Sequence, residues 1–143
     1  MKKSIALVLL LTTSLPSCNK YPDGPSLSFR SKKSRLANSW QVQYYSENFV
    51  NKTDDFKNIF VNYNLIIGKD GNYSVSYKFL NSSDYLEMGN WTFDDPKKNV
   101  VFSRVSPSAS TTSWIIMKLE NDELWGRDID TSGLVKEVHL IPR

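Results

Sequence analysis

The chain has 143 residues, with 18 Lys and Arg against 15 Asp and Glu and a formal net charge of +3. That length suits one domain and can bury a real core. Two basic residues, Lys2 and Lys3, belong to a short leader; without them 16 basic residues face 15 acidic ones, and a net charge of +1 leaves no electrostatic footprint for nucleic acid.

The leader continues as an apolar run, Ile5 to Leu11, interrupted at Thr12, Thr13 and Ser14. A membrane-spanning helix needs about 20 apolar residues, so this run reads as an export signal and not as a span. Leu15-Pro16-Ser17-Cys18 ends it, and Cys18 is the chain's one cysteine. The stretch resembles the signal of bacterial lipoproteins, a Leu and small residues before a Cys. The resemblance implies cleavage before Cys18, a diacylglycerol on its thiol and an acyl chain on the new amino terminus. It implies lipid anchoring to the bacterial outer membrane, on the periplasmic or the cell-surface side. One acyl chain holds a protein at a bilayer only marginally, and two or three hold it firmly. A lipidated Cys18 leaves no thiol for a disulfide, a nucleophile or a thiolate metal site.

Residues 18–37 read as a tether. Pro22, Gly24 and Pro25 oppose regular structure, and Lys32, Lys33 and Arg35 form a basic cluster. Nineteen residues from Asn19 span at most about 60 Å when extended.

Residues 38–143 read as one β domain. The 13% aromatic content favours strands, where rings fit the pleated surface. Trp40, Val42 and Tyr44 alternate with polar residues in a first strand. Thr53 is placed to cap a short helix, with Asp54 and Asp55 in its first turn and an apolar stripe of Phe56, Ile59 and Phe60. That helix is either a lid or a plug that completes the core. Tyr63, Leu65 and Ile67 mark a second strand, and Gly68-Lys69-Asp70-Gly71 a hairpin. Tyr73, Val75, Tyr77 and Phe79 mark the third strand, and Gly89, Trp91 and Phe93 the fourth. Val100 to Arg104 makes a fifth, and Ser106 to Ser113 reads as an irregular Ser/Thr-rich loop. Trp114 to Leu119, Leu124 to Ile129 and Leu134 to Ile141 complete eight strands. Short sequential connections predict an all-β, eight-stranded, antiparallel up-and-down barrel with one short helix between its first two strands. Closure removes the edges that invite aggregation.

Asn38-Ser39-Trp40 resembles the start of a lipocalin's first strand. Asp70-Gly71-Asn72-Tyr73 and Gly89-Asn90-Trp91-Thr92-Phe93 resemble two later lipocalin strands, and Trp114 with Leu124 and Trp125 a late strand pair. From Leu36 to Arg143 the chain is thus similar to the lipocalin-like domain of bacterial lipoproteins. The resemblance implies fold more than ligand.

Chemistry-bearing motifs are sparse. His139 is the one histidine, and no GxSxG elbow accompanies it. Asp128-x-Asp130-x-Ser132-Gly133 echoes a calcium loop but lacks the Glu at its twelfth position. The expectation is therefore no catalytic residue, no metal and no cofactor. The remaining candidates are aromatic: Trp40, Tyr44, Tyr73, Tyr77, Trp91 and Phe93, read as facing the barrel interior. An eight-stranded barrel can be filled by such side chains or can hold one small ligand. Two functions stay open. One is a membrane-anchored protein that binds a small apolar or amphipathic molecule. The other is a filled, non-catalytic scaffold that meets a protein partner through its loops.

Overall fold

The computed structural model describes residues 30–94 and 96–143. The expected leader (1–17), Cys18 with its expected lipidation, and the stretch read as tether as far as residue 29 lie outside the described residues, as does Asp95. In chain order the elements are α1 (Lys32–Leu36), β1 (Ser39–Glu47), β2 (Val50–Asn51), α2 (Thr53–Ile59), β3 (Phe60–Ile67), β4 (Asn72–Phe79), β5 (Ser83–Phe93), β6 (Asn99–Ser106), β7 (Ser110–Leu119), β8 (Leu124–Ile129) and β9 (Val135–Pro142). Eight of the strands form an antiparallel meander in the order β1-β3-β4-β5-β6-β7-β8-β9, and β9 pairs back on β1 to close the barrel. The expected architecture is the observed one. The ninth strand, β2, only folds back on the end of β1, with Ser46 opposite Asn51 and Glu47 opposite Val50.

The barrel is packed at one end. Trp40, Leu65, Ile67, Val100, Ile116, Leu119, Leu124 and Leu140 are buried there, contributed by the starts of β1, β6 and β8 and the ends of β3, β7 and β9. Inward positions alternate with outward ones, so a period of two delivers one buried residue per strand pair step.

Helix α1 caps this end. Ser31 accepts a hydrogen bond from the Ser34 amide (3.1 Å) and starts the turn. Leu36 is fully buried, its carbonyl accepts from Trp40 Nε1 (2.9 Å), and Arg35 Nη1 donates to the Leu119 carbonyl (2.6 Å). The stretch read as tether up to Ala37 therefore ends earlier, and Arg35 is a structural residue, not part of a free basic cluster. Polar composition hid this, because an Arg can bury its stem and spend its charge on a carbonyl at a strand end. Among the described residues every buried side chain lies between Arg35 and Leu140, and the strand pairing closes within them.

Three local readings are corrected. Ser110 to Ser113, expected in a loop, pair in β7 with Arg104 to Val101, so β6 and β7 meet in a tight hairpin. These residues are exposed at the barrel mouth, so no apolar alternation announced a strand there. Thr53 does not cap α2. Its hydroxyl bonds the Tyr45 amide (3.0 Å) and carbonyl (3.3 Å), tying the helix to β1. Register shifts between Val42 and Tyr44, and this bulge reverses which face of β1 points inward.

Candidate functional site

The other half of the barrel is hollow. A cavity of about 520 Å³ runs between Leu65, Tyr73, Val75, Phe102 and Thr112 on the packed side and Phe60, Tyr77 and Tyr85 toward the mouth. A smaller lobe of about 170 Å³ adjoins it, sharing Phe60, Tyr63, Tyr77, Trp114 and Lys136 and adding Tyr45, Phe56 and Val138.

The walls are aromatic for a local reason. Inward positions of β3 and β4 carry Tyr63, Tyr73 and Tyr77, and α2 lays Phe56 across them. The Phe56 ring lies 4.8 Å from Tyr45, 4.7 Å from Phe60 and 5.3 Å from Tyr63. Phe60 meets Tyr77 edge-on at 5.0 Å, and Tyr77 stacks on Tyr85 at 4.6 Å. The helix thus forms a wall of the smaller lobe. Opposite it, Gly126 makes room for Trp114: a Cβ at that position would lie 2.7 Å from the indole.

One side of the larger lobe is polar. Glu87 accepts from Tyr73 Oη (2.7 Å) and Tyr85 Oη (3.0 Å) and pairs with Arg104 (3.4 Å). Arg104 is held from behind, donating to the Ser108 carbonyl (2.7 Å) and hydroxyl (3.2 Å) across the β6–β7 hairpin. Burial, then the neighbouring Glu87, pushes the Tyr73 and Tyr85 phenols up from their ordinary value, and burial does the same to Tyr63 and Tyr77. The phenols stay neutral and serve as hydrogen-bond donors. Lys136 lines both lobes and sits 3.8 Å from Asp130 near the mouth. The site therefore offers apolar ring faces on most of its wall and a cluster of donors and acceptors on one flank. That suits non-covalent capture of an amphipathic molecule.

Of the six aromatic residues expected inside, Tyr73 and Tyr77 line the cavity. Trp40, Trp91 and Phe93 belong to the packed half. Trp40 is fully buried, and Trp91 donates Nε1 to the Gly68 carbonyl (2.8 Å) and meets Phe93 edge-on at 5.4 Å. Tyr44 does not face inward. The β1 bulge sends it to the opposite face, against His139 (4.7 Å), and puts Tyr45 in the cavity. His139 in turn stacks on Trp125 at 4.0 Å and contacts Glu137 at 2.8 Å.

Sequence reasoning missed Tyr45, Tyr63, Tyr85, Glu87, Arg104 and Trp114 as wall residues. For Tyr63 and Trp114 the strand alternation was visible. For Glu87 and Arg104 only the register of β5 against β6 and the hairpin behind it bring the pair together. The calcium-like string is a turn: Asp130 accepts from the Ser132 hydroxyl and amide and the Leu134 amide, which hold its carboxyl below the usual range. Among the described residues no three His, Cys, Asp or Glu side chains converge as a metal set.

No protein-family model matches the chain, and the comparison with curated proteins finds no match. Solved structures do match. One is a lipocalin-like protein from Bacteroides uniformis, 12% identical, with a TM-score of 0.52 over 76% of this chain and 99% of that one. Another is an uncharacterized protein from Bacteroides eggerthii, 10% identical, with a TM-score of 0.52 over 73% of this chain and 98% of that one. At such identities the likeness is one of fold, and it agrees with the closed eight-stranded meander and the helix after β1. The described part of this chain has a lipocalin-like fold.

Proposed function

We propose that this protein is a lipid-anchored lipoprotein of the bacterial outer membrane whose barrel binds one small amphipathic molecule and performs no chemistry on it. The observation that carries the reading is the cavity of about 520 Å³, walled by Phe60, Tyr63 and Tyr77 and flanked by the Glu87–Arg104 pair. Pockets of about 300–1,000 Å³ with mostly apolar walls and a few fixed polar groups are the usual form of a small-molecule site. The ligand fitting it has a flat or branched apolar body and one polar end. The body lies on the ring faces, and the polar end meets Arg104, Glu87 or Lys136. The anchor rests on Leu15-Pro16-Ser17-Cys18. A filled barrel describes only the packed half, so the scaffold reading has less support than the carrier reading.

Native mass spectrometry of the protein incubated with lipid extract from its own cells tests this. The expected result is an adduct of defined mass that is lost in a Tyr63→Ala, Tyr77→Ala double variant and kept in Phe93→Ala. A bare protein mass across extracts overturns the carrier reading.

A further inference from the structure

We propose that the open end of the barrel is a membrane-docking rim, so that the cavity mouth is pressed onto a phospholipid bilayer. Of ten large apolar side chains that stand exposed among the described residues, six are at this one end. Phe49 and Val50 occupy the β1–β2 turn, Phe79 and Leu80 the β4–β5 turn, Val105 the end of β6 and Ile129 the end of β8. Phe49 is 70% exposed and Val105 66%. The display is built into the backbone. Phe49 has φ +66° and Leu80 φ +47°, left-handed conformations that bulky residues seldom adopt. Such a side chain is held in place by a backbone conformation that is itself unfavourable. Each turn is also pinned to its neighbours: the Asn48 amide donates to the Val135 carbonyl (2.8 Å), and the Leu80 amide to the Ile59 carbonyl (2.8 Å).

Two features choose a bilayer as the occupant. First, the apolar tips come from four separate connections around an opening. They form no groove for a helix or strand, but a broad soft apolar phase can take all of them at once. Second, three lysines among them are each paired with a carboxylate. Lys52 pairs with Asp55 (3.1 Å), Lys78 with Asp84 (4.0 Å) and Lys136 with Asp130 (3.8 Å). A rim balanced in this way gains little from anionic headgroups, so docking is driven by apolar insertion and is insensitive to salt.

The geometry of attachment permits it. On the reading that Cys18 carries the anchor, the chain enters the barrel at the packed end through α1. The twelve Cα–Cα steps from Cys18 to Arg30 reach at most about 40 Å. A ten-residue strand such as β7 is about 33 Å long. The tether is therefore as long as the barrel, and the open end can be turned down onto the bilayer that holds the anchor. An apolar ligand then passes between membrane and cavity without crossing water. This deepens the carrier reading, yet the docking itself needs neither the ligand nor the acyl chains.

The test uses the Asn19–Arg143 chain without acyl groups, which retains every core residue and strand pairing found among the described residues. It is mixed with phosphatidylcholine vesicles and floated on a density gradient. The expected result is co-flotation unchanged between low and high salt, weakened at least about tenfold in a Phe49→Ser, Leu80→Ser double variant. Ile66→Ser, an exposed apolar residue on the barrel wall, should leave flotation as it was. Circular dichroism and the melting temperature confirm that each variant is folded, which is expected because these side chains are exposed. Absence of flotation, loss of it at high salt, or equal flotation of the double variant overturns the proposal. Ligand adducts measured on the same proteins report separately on the carrier reading.

Discussion

The two ends of this barrel are built from the same eight strands and do opposite things. At the packed end the large side chains are Leu, Ile, Val and indole. Both buried indoles tie their one donor to a backbone carbonyl, Trp40 to Leu36 and Trp91 to Gly68. Arg35 enters this end with α1 and donates Nη1 to the Leu119 carbonyl, and α1 seals the barrel there. At the open end tyrosines join Phe56, Phe60 and Trp114 in the wall. Each tyrosine carries a polar tip that backbone cannot easily satisfy from inside a barrel, and the tips of Tyr73 and Tyr85 find Glu87. These rings pack against one another along the wall and leave the cavity between them and the packed half. Strand pairing decides that there is a barrel, and the polar tips of the tyrosines distinguish the hollow half from the packed one.

The largest expected effect breaks the packed end. Trp40→Ala removes a fully buried indole, and the hole cannot collapse between β1, β9 and α1. Urea denaturation should show a loss of about 3–5 kcal/mol. Tyr77→Ala at the open end opens onto existing space and should cost well under half of that while abolishing ligand adducts. Equal losses at the two sites would mean that the halves are packed alike.

A smaller effect sharpens the boundary between them. Gly126→Ala puts a methyl 2.7 Å from Trp114 Cε3. The indole must swing toward the cavity, at about 1–3 kcal/mol. Tryptophan emission should shift, and ligand adducts should weaken because Trp114 walls both lobes. Unchanged emission would place the Trp114 ring elsewhere.

Much of the packed end was legible in the sequence, and much of the open end was not. Trp40, Leu65, Ile67 and Trp91 follow a period of two, and a period of two is what burial on one face of a strand leaves behind. The cavity depends on breaks in that period. One inserted residue after Val42 exchanges Tyr44 for Tyr45, and nothing local distinguishes a bulged strand from a regular one. Arg104 and Glu87 lie 17 residues apart and meet through register and a hairpin whose polar residues gave no strand signal. Arg35 illustrates the same limit from the other side: a basic residue in a polar run turned out to be buried at a strand end. Alternation reports burial against a continuous core, so it falls silent where the core is interrupted by a cavity or by the mouth.

The smallest effect at neutral pH appears in alkali, and it follows from the tyrosines. Burial raises the Tyr63, Tyr73 and Tyr77 phenols above their ordinary value of 10.0, with Glu87 adding to the shift at each. The folded barrel therefore keeps protons that the unfolded chain gives up. The stability this contributes is fully present below about pH 10 and is lost as pH rises through the folded-state values. Absorbance at 295 nm should thus rise in two stages, the second coinciding with loss of far-ultraviolet ellipticity as Tyr63 and Tyr73 ionise on opening. A Tyr63→Phe, Tyr73→Phe variant should lose most of the second absorbance stage and unfold at higher pH. A single stage complete near pH 10 with the ellipticity intact would show the open end to be as wet as the outer wall, and the contrast between the two halves would have to be drawn on packing alone.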